Sequence, residues 1–354
     1  MPKRHRPGTT STRVVAHIEE IVLATSGEDA FELVFAVAAA RVTGRTIAAA
    51  AKAHPELEIE VPRGDAAKLA ARASDLLGRA IPAGDTKLET LDAVFEKLVP
   101  RVAKGDKGQF FTPRSVVDFV IRALSPRAKE VVVDPACGSG AFLAHAAAQA
   151  DVRTFGSDVD ARAVRVARLV AIAQGRAPST IVRRDGLRGG RFEPAQIVAT
   201  NPPFAGRAPS DGFSIAERVR TPERDLLFLE RSLDLLEPGG RLGIVLPYNK
   251  AANASFAGAR RWLFERARVL AVVGLPRETF APHTSQRTFV LFAKKRRRGE
   301  SARDAERTMF VVSERAGKDA AGDPVLRANG DIDHDLGEAL GAVRPFFAKE
   351  GFFA

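Results

Sequence analysis

The chain has 354 residues, 45% of them hydrophobic and 27% charged, a balance that excludes a disordered or fibrous protein and leaves room for two or three domains. Lysine and arginine number 54 against 43 acids, a formal charge of +11, which makes an acidic partner such as nucleic acid one reading and genome base bias another. Cys137 stands alone and the six histidines lie scattered, so a disulfide and a cysteine-based zinc site are excluded and no metal is expected.

Residues 1–106 read as a helical domain. Ser26 and Asp29 precede an apolar stretch from Phe31 to Val37 that Gly44 can end. Two further segments, 65–79 and 85–99, carry apolar residues at helical spacing. From Val131 the pattern changes to short β-branched runs separated by helices, the mark of a parallel sheet. Strands are predicted at 130–133, 153–156, 180–182, 196–199, 241–246, 270–275, 288–292 and 309–312, with helices at 115–124, 161–174 and 224–236. Phe119 and Val120 are expected in the core. The strand at 288–292 is expected to run antiparallel, because a parallel return after Phe280 needs a longer crossover. Beyond Val312 the chain is turn-rich around Gly317, Gly322 and Pro324 and yields no element. No run approaches the roughly 18 apolar residues of a membrane span, so a cytoplasmic location is expected.

The strongest local signal is Val131-Val-Val-Asp134-Pro-Ala-Cys137-Gly138-Ser-Gly140, a buried strand entering a glycine turn before a helix. Such a turn lets backbone approach a nucleotide-like cofactor, since a Cβ at Gly138 or Gly140 would block it. A dinucleotide fingerprint would continue to a third glycine, where Leu143 stands. Asp158, ending the second strand, suits the ribose hydroxyls of an adenosine, whereas Asp160 suits a helix N-cap. Asp185, after the third strand, is placed for the adenine amine. Asn201-Pro202-Pro203-Phe204 follows the fourth strand, at the carboxyl edge where such sheets bind ligands. Its prolines fix the backbone and lack N–H groups. The Asn201 oxygen and the Pro202 carbonyl can then accept from one amine while Phe204 stacks on the ring that carries it. A plain Pro-Pro turn is the bland alternative.

With these motifs the sequence resembles the N6-adenine DNA methyltransferases, and among them the modification subunits of type I restriction systems. Gly108-Gln-Phe-Phe111-Thr112-Pro113, the loop Asp134 to Phe142, Asn201 to Phe204, Gly239-Gly-Arg-Leu-Gly-Ile-Val-Leu-Pro247 and Gly274-Leu-Pro276 before Phe280 carry the likeness. The resemblance implies a class I S-adenosylmethionine-dependent fold: α/β, Rossmann-like, with a seven-stranded, mainly parallel sheet and a small N-terminal α-helical domain. It implies a catalytic domain at 107–312 and a C-terminal extension at 313–354. It also implies that Phe111, Thr112 and Pro113 lie along the methionine part of the cofactor, with Asp134, Gly138 and Gly140 beneath it, Asp158 on the ribose and Asp185 on the adenine.

The implied reaction is methylation of adenine N6 in double-stranded DNA, with the base rotated out of the duplex. Alternatives are methylation of RNA or protein glutamine, or a non-catalytic DNA-binding subunit. No segment is large enough for sequence recognition, so a separate specificity subunit is expected, docked partly through the N-terminal helices, with a restriction subunit as a further partner. The loop 205–223 offers Arg207, Arg218 and Arg220 to DNA. The run Lys294 to Arg298 reads as a solvated hairpin tip or a phosphate grip. Phe346-Phe347 and Phe352-Phe353 suit either an interface or packing on their own domain.

Overall fold

The computed structural model describes residues 30–78, 112–188, 192–204 and 206–354, with His17 and Glu20. Ser26, Asp29, Phe111 and the helix expected at 85–99 lie outside these residues.

Helix α1 (Phe31–Thr43) ends at Gly44, whose left-handed backbone returns its N–H to the carbonyls of Ala40 and Arg41. It is apolar on nearly every face because it is enclosed, packing against α3 (Asp65–Leu77), the short α2 (Ile47–Ala53) and α6 (Ala161–Ala173). Arg165 of α6 holds this junction. Its guanidinium makes a bidentate pair with Glu32 at 2.7 Å, donates to the carbonyls of Leu57 and Glu58, and lies over the rings of Phe31 and Phe35. Among the described residues no single helix is long and apolar enough to cross a bilayer, although α1 and α2 pass that test as a pair bent by 78°.

The eight expected strands all form, within one or two residues of their predicted places apart from extended ends in β5 to β7. They are β1 (Val131–Asp134), β2 (Arg153–Asp158), β3 (Ile181–Arg183), β4 (Ala195–Thr200), β5 (Leu236–Pro247), β6 (Ala267–Leu275), β7 (Thr288–Lys295) and β8 (Met309–Val312). Their order is β3-β2-β1-β4-β5-β7-β6-β8. Only β7 is antiparallel to its neighbours, as expected from the short connection after Phe280. The sheet has eight strands where the family resemblance implied seven, because β8 adds to the edge of β6 in parallel register, Ala271 opposite Met309 through Gly274 opposite Val312. One face carries α4 (Arg114–Leu124), α5 (Ala141–Gln149) and α9 (Leu336–Lys349), with Phe119 and Val120 in the core as expected. The other carries α7 (Arg224–Leu235) and α8 (Ala257–Arg266) around Trp262.

One expectation needs correction in part. Of the run Lys294 to Arg298, only Arg297 and Arg298 are exposed, at the turn after β7. Lys294 and Lys295 belong to β7 and donate to the carbonyls of Gly351 and Leu236, while buried Arg296 pairs with Glu306 through two 2.7 Å bonds. The paired aromatics of the tail pack inward: Phe347 and Phe352 are fully buried, and Phe347 meets Phe292 at 5.3 Å. This is the packing alternative, with Phe346 and Phe353 half-buried against the same core.

Candidate active site

The strand order reverses between β1 and β4, and the loops leaving their carboxyl ends face each other across that switch, the usual place for a ligand in such sheets. The loop after β1 is tightly organised. Asp134 accepts from the Ala136 amide at 3.0 Å, the Cys137 amide donates to the Ser157 carbonyl at 2.9 Å, and the Gly138 amide donates to Asp158 at 2.9 Å. Asp158 therefore ties the glycine turn to β2, taking the Asp160 amide on its other oxygen at 2.9 Å. Asp160 caps α6 by accepting from Arg162 and Ala163, the role its place at a helix start suggests.

The two glycines do different work. Gly138 has φ +52 and nothing within 4 Å of where a Cβ would stand, so its open side lies at the switch. Gly140 has φ +83, but a Cβ there would come within 3.0 Å of Ala167. Its missing side chain lets α6 approach, a packing demand met at the same turn.

Burial pushes the Asp134 carboxyl up to about 7, against the pull of the Thr200 side chain and the Ala136 amide. Burial also raises Asp158, opposed by the amides of Asp160 and Gly138. The Cys137 thiol is held far up by burial and by both acids, which removes it as a nucleophile. Two desolvated carboxyls thus floor the turn, an environment that a cationic ligand would relieve. Asp185 accepts from the Leu187 amide at 3.0 Å, turning the chain after β3.

Across the switch, Asn201 follows β4 directly. Its Nδ2 donates to the Thr112 hydroxyl at 2.9 Å, while its Oδ1 is buried with no hydrogen-bond partner among the described residues. Thr112 and the buried Pro113 begin α4, so that helix brings Thr112 to a side chain 89 positions away. Phe204 is buried and meets the edge of the Phe280 ring at 5.5 Å and 86°. Pro202 is buried and Pro203 half-buried between them.

The long loop that follows is pinned rather than loose. Glu230 of α7 accepts from the amides of Ser214 and Ile215, Trp262 donates to the Ser214 hydroxyl, and the Arg224 amide closes on the Gly206 carbonyl. At its far end, buried Lys250 pairs with Glu223 at 2.7 Å and Asp225 at 3.2 Å. None of these anchors was read from the sequence, because each joins residues whose local patterns are those of ordinary helix and loop.

A family model described as N-6 DNA methylase matches residues 87–323. The chain belongs to the N-6 DNA methylase family. It is 27% identical over 213 residues to the methylase subunit of the Escherichia coli type I restriction enzyme EcoEI, covering 54% of this chain and 43% of that protein. To the EcoKI methylase subunit of E. coli K12 it is 29% identical over 224 residues, covering 54% and 41%. The chain therefore aligns with less than half the length of the curated relatives it matches. Among solved structures, the methyltransferase subunit of a Streptococcus thermophilus type I restriction-modification system superposes with a TM-score of 0.63 at 19% identity, over 79% of this chain and 62% of that one. A candidate class I S-adenosylmethionine-dependent methyltransferase from Listeria monocytogenes gives 0.68 at 16%, over 96% and 98%. This member of the N-6 DNA methylase family has the class I methyltransferase fold.

Proposed function

We propose that this chain transfers the methyl group of S-adenosylmethionine to N6 of adenine in double-stranded DNA, as the modification subunit of a restriction-modification or related system. The carrying observation is Asn201: with Nδ2 held by Thr112, the buried and unpartnered Oδ1 is left as an acceptor for an amino group. An acceptor fixed against the attacking nitrogen stabilises the positive charge that develops there, and so favours the transition state over the ground state. Pro202 and Pro203 hold the backbone so that a carbonyl can take the second hydrogen, and the Phe204 ring offers a face to the base. Adenine N6 is paired within the duplex, so the base must rotate out to reach this loop.

The turn after β1 fits the cofactor through the open side of Gly138 and the two buried acids. When bound, S-adenosylmethionine supplies a methyl on a positively charged sulfur. In this reading Asp134, Gly138 and Asp158 hold the nucleoside and Asp185 the adenine. Thr112 and Pro113 border the methionine part, and the adjoining Phe111 in the sequence is of a residue type whose ring attracts such a cation. Gly140 serves the same site indirectly, by letting α6 close behind the turn. Relatives described as methylase subunits of type I restriction enzymes support a separate specificity subunit and a restriction subunit as partners. Exposed Arg207, Arg218 and Arg220 lie on the loop that follows Phe204 and are suited to DNA phosphates, with Arg218 at present 3.6 Å from Glu265.

The test is transfer of labelled methyl groups to unmodified duplex DNA by the purified chain, alone and with its co-expressed partner proteins. N6-methyladenine is the expected product. Asn201→Ala is expected to lower transfer at least about 100-fold while leaving cofactor affinity unchanged. Wild-type rates in that variant, or a different methylated base, would overturn the proposal.

A further inference from the structure

The segment between β8 and α9 was the part of the sequence without an assigned element. In the structure it is a pair of narrow arms, bridged Ala316 to His334, Lys318 to Pro324 and Leu326 to Ile332. Asp335 closes its base by accepting from the Ser313 hydroxyl and the Glu314 amide. The first arm ends in a tight turn in which Asp319 accepts the amides of Ala321 and Asp323 and its carbonyl takes that of Gly322. Gly322, at φ +82, is seated directly on the chain at Ala281 and Pro282. A Cβ there would lie 2.5 Å from Pro282 Cδ, 2.8 Å from Pro282 N and 3.0 Å from the Ala281 carbonyl carbon. Ala281 follows Phe280, whose buried ring braces Phe204. On the other side of the site, α9 packs against α4, the helix that begins beside Thr112 and so reaches Asn201.

We propose that this C-terminal segment is a positioning element for the Asn201–Phe204 loop, with Gly322 as its contact point. The turn at Asp319–Asp323 sits on Ala281 and Pro282, that seat fixes Phe280, and Phe280 fixes the plane of Phe204. Gly322 meets two demands at once: the turn needs a left-handed backbone, and the seat has no room for a side chain. The proposal rests on the reading of Asn201 to Phe204 as the base pocket.

The experiment compares Gly322→Ala with Gly330→Ala in the full chain. Gly330 lies in the second arm at φ +89 with nothing within 4 Å of a Cβ, so it pays the same backbone penalty without meeting a neighbour. Both variants are labelled with fluorophenylalanine, and the Phe204 and Phe280 fluorine signals are assigned through Phe204→Leu and Phe280→Leu. Gly322→Ala is expected to move both signals and Gly330→Ala neither. In methyl transfer to unmodified duplex DNA with partner proteins present, Gly322→Ala is expected to lower kcat roughly 10- to 100-fold, the scale of a small misplacement relayed from a distance. KM for S-adenosylmethionine should stay unchanged. Unmoved signals in Gly322→Ala overturn the positioning proposal whatever the activity. Full activity in Phe204→Leu instead overturns the base-pocket reading, with the fluorine spectra still judging the seat.

Discussion

Gly138 and Gly140 stand two positions apart, both at positive φ, and the space around them separates their roles. Gly138→Val is expected to weaken S-adenosylmethionine binding more than it lowers the melting temperature. Gly140→Val, driven into Ala167, is expected to do the reverse, and calorimetry beside thermal melts reads the two effects. Thr112 is a second separable position. Thr112→Val removes the bond that fixes the Asn201 amide, a loss of about 1 kcal/mol, so a fall in kcat of roughly fivefold with little change in KM is expected from steady-state kinetics. Asp134 gives the pH prediction. Its carboxyl rises from 3.8 to about 7 on folding, so the folded state holds the proton more tightly. Stability from this group is complete below about 3.8 and is lost as pH climbs through 7, a span worth about 4 kcal/mol. Urea melts of Asp134→Asn should therefore match the wild type in acid, exceed it increasingly between about pH 4 and 7, and level off above that. A pH-independent difference would show that Asp134 is not the group responsible. Sequence motifs placed Asn201, Asp134 and Asp158 in candidate roles, because each sits at the end of a strand with its chemistry in a local pattern. The Thr112–Asn201 bond had no such pattern, since it forms between segments 89 positions apart.

At the scale of elements, the alternating strands and helices were legible because each βαβ unit buries a continuous β-branched run and so writes its own signal. Helix α9 was not. Gly337, Gly341 and Pro345 lie inside it, and each opposes a helix locally. Burial of Leu336, Leu340, Val343 and Phe347 against α4 and the sheet overrides that preference. Helix α1 poses the opposite case, a strong local signal whose docking depends on one side chain elsewhere. Arg165→Ala would leave Glu32 and the carbonyls of Leu57 and Glu58 without this donor and remove its cation from over the rings of Phe31 and Phe35. A loss of about 3 kcal/mol is expected in chemical denaturation, with faster hydrogen exchange concentrated in α1 and α3. The double replacement Arg165→Met with Glu32→Leu should recover much of it, because no charge is then left unpaired. Equal loss in both variants would mean that shape, rather than the ion pair, holds the junction.

For the molecule as a whole, the N-terminal helices stack outside α6 and the C-terminal arms sit beyond β6, so they flank the two ends of one sheet. Asn201 stands at the carboxyl edge, while Lys294, Lys295 and Arg296 at the end of antiparallel β7 lie toward the opposite edge and bond to Gly351, Leu236 and Glu306. In the proposed reaction the duplex would lie along the carboxyl edge. Eight strands at about 4.8 Å spacing span roughly 34 Å, and at about 3.4 Å per base pair that is close to ten base pairs, so on that reading the sheet offers the duplex a length of about one helical turn. Hydroxyl-radical footprinting of the chain alone is expected to protect about one turn centred on the methylated adenine; protection of two turns would mean that a second copy, or a surface away from the strand ends, holds the DNA.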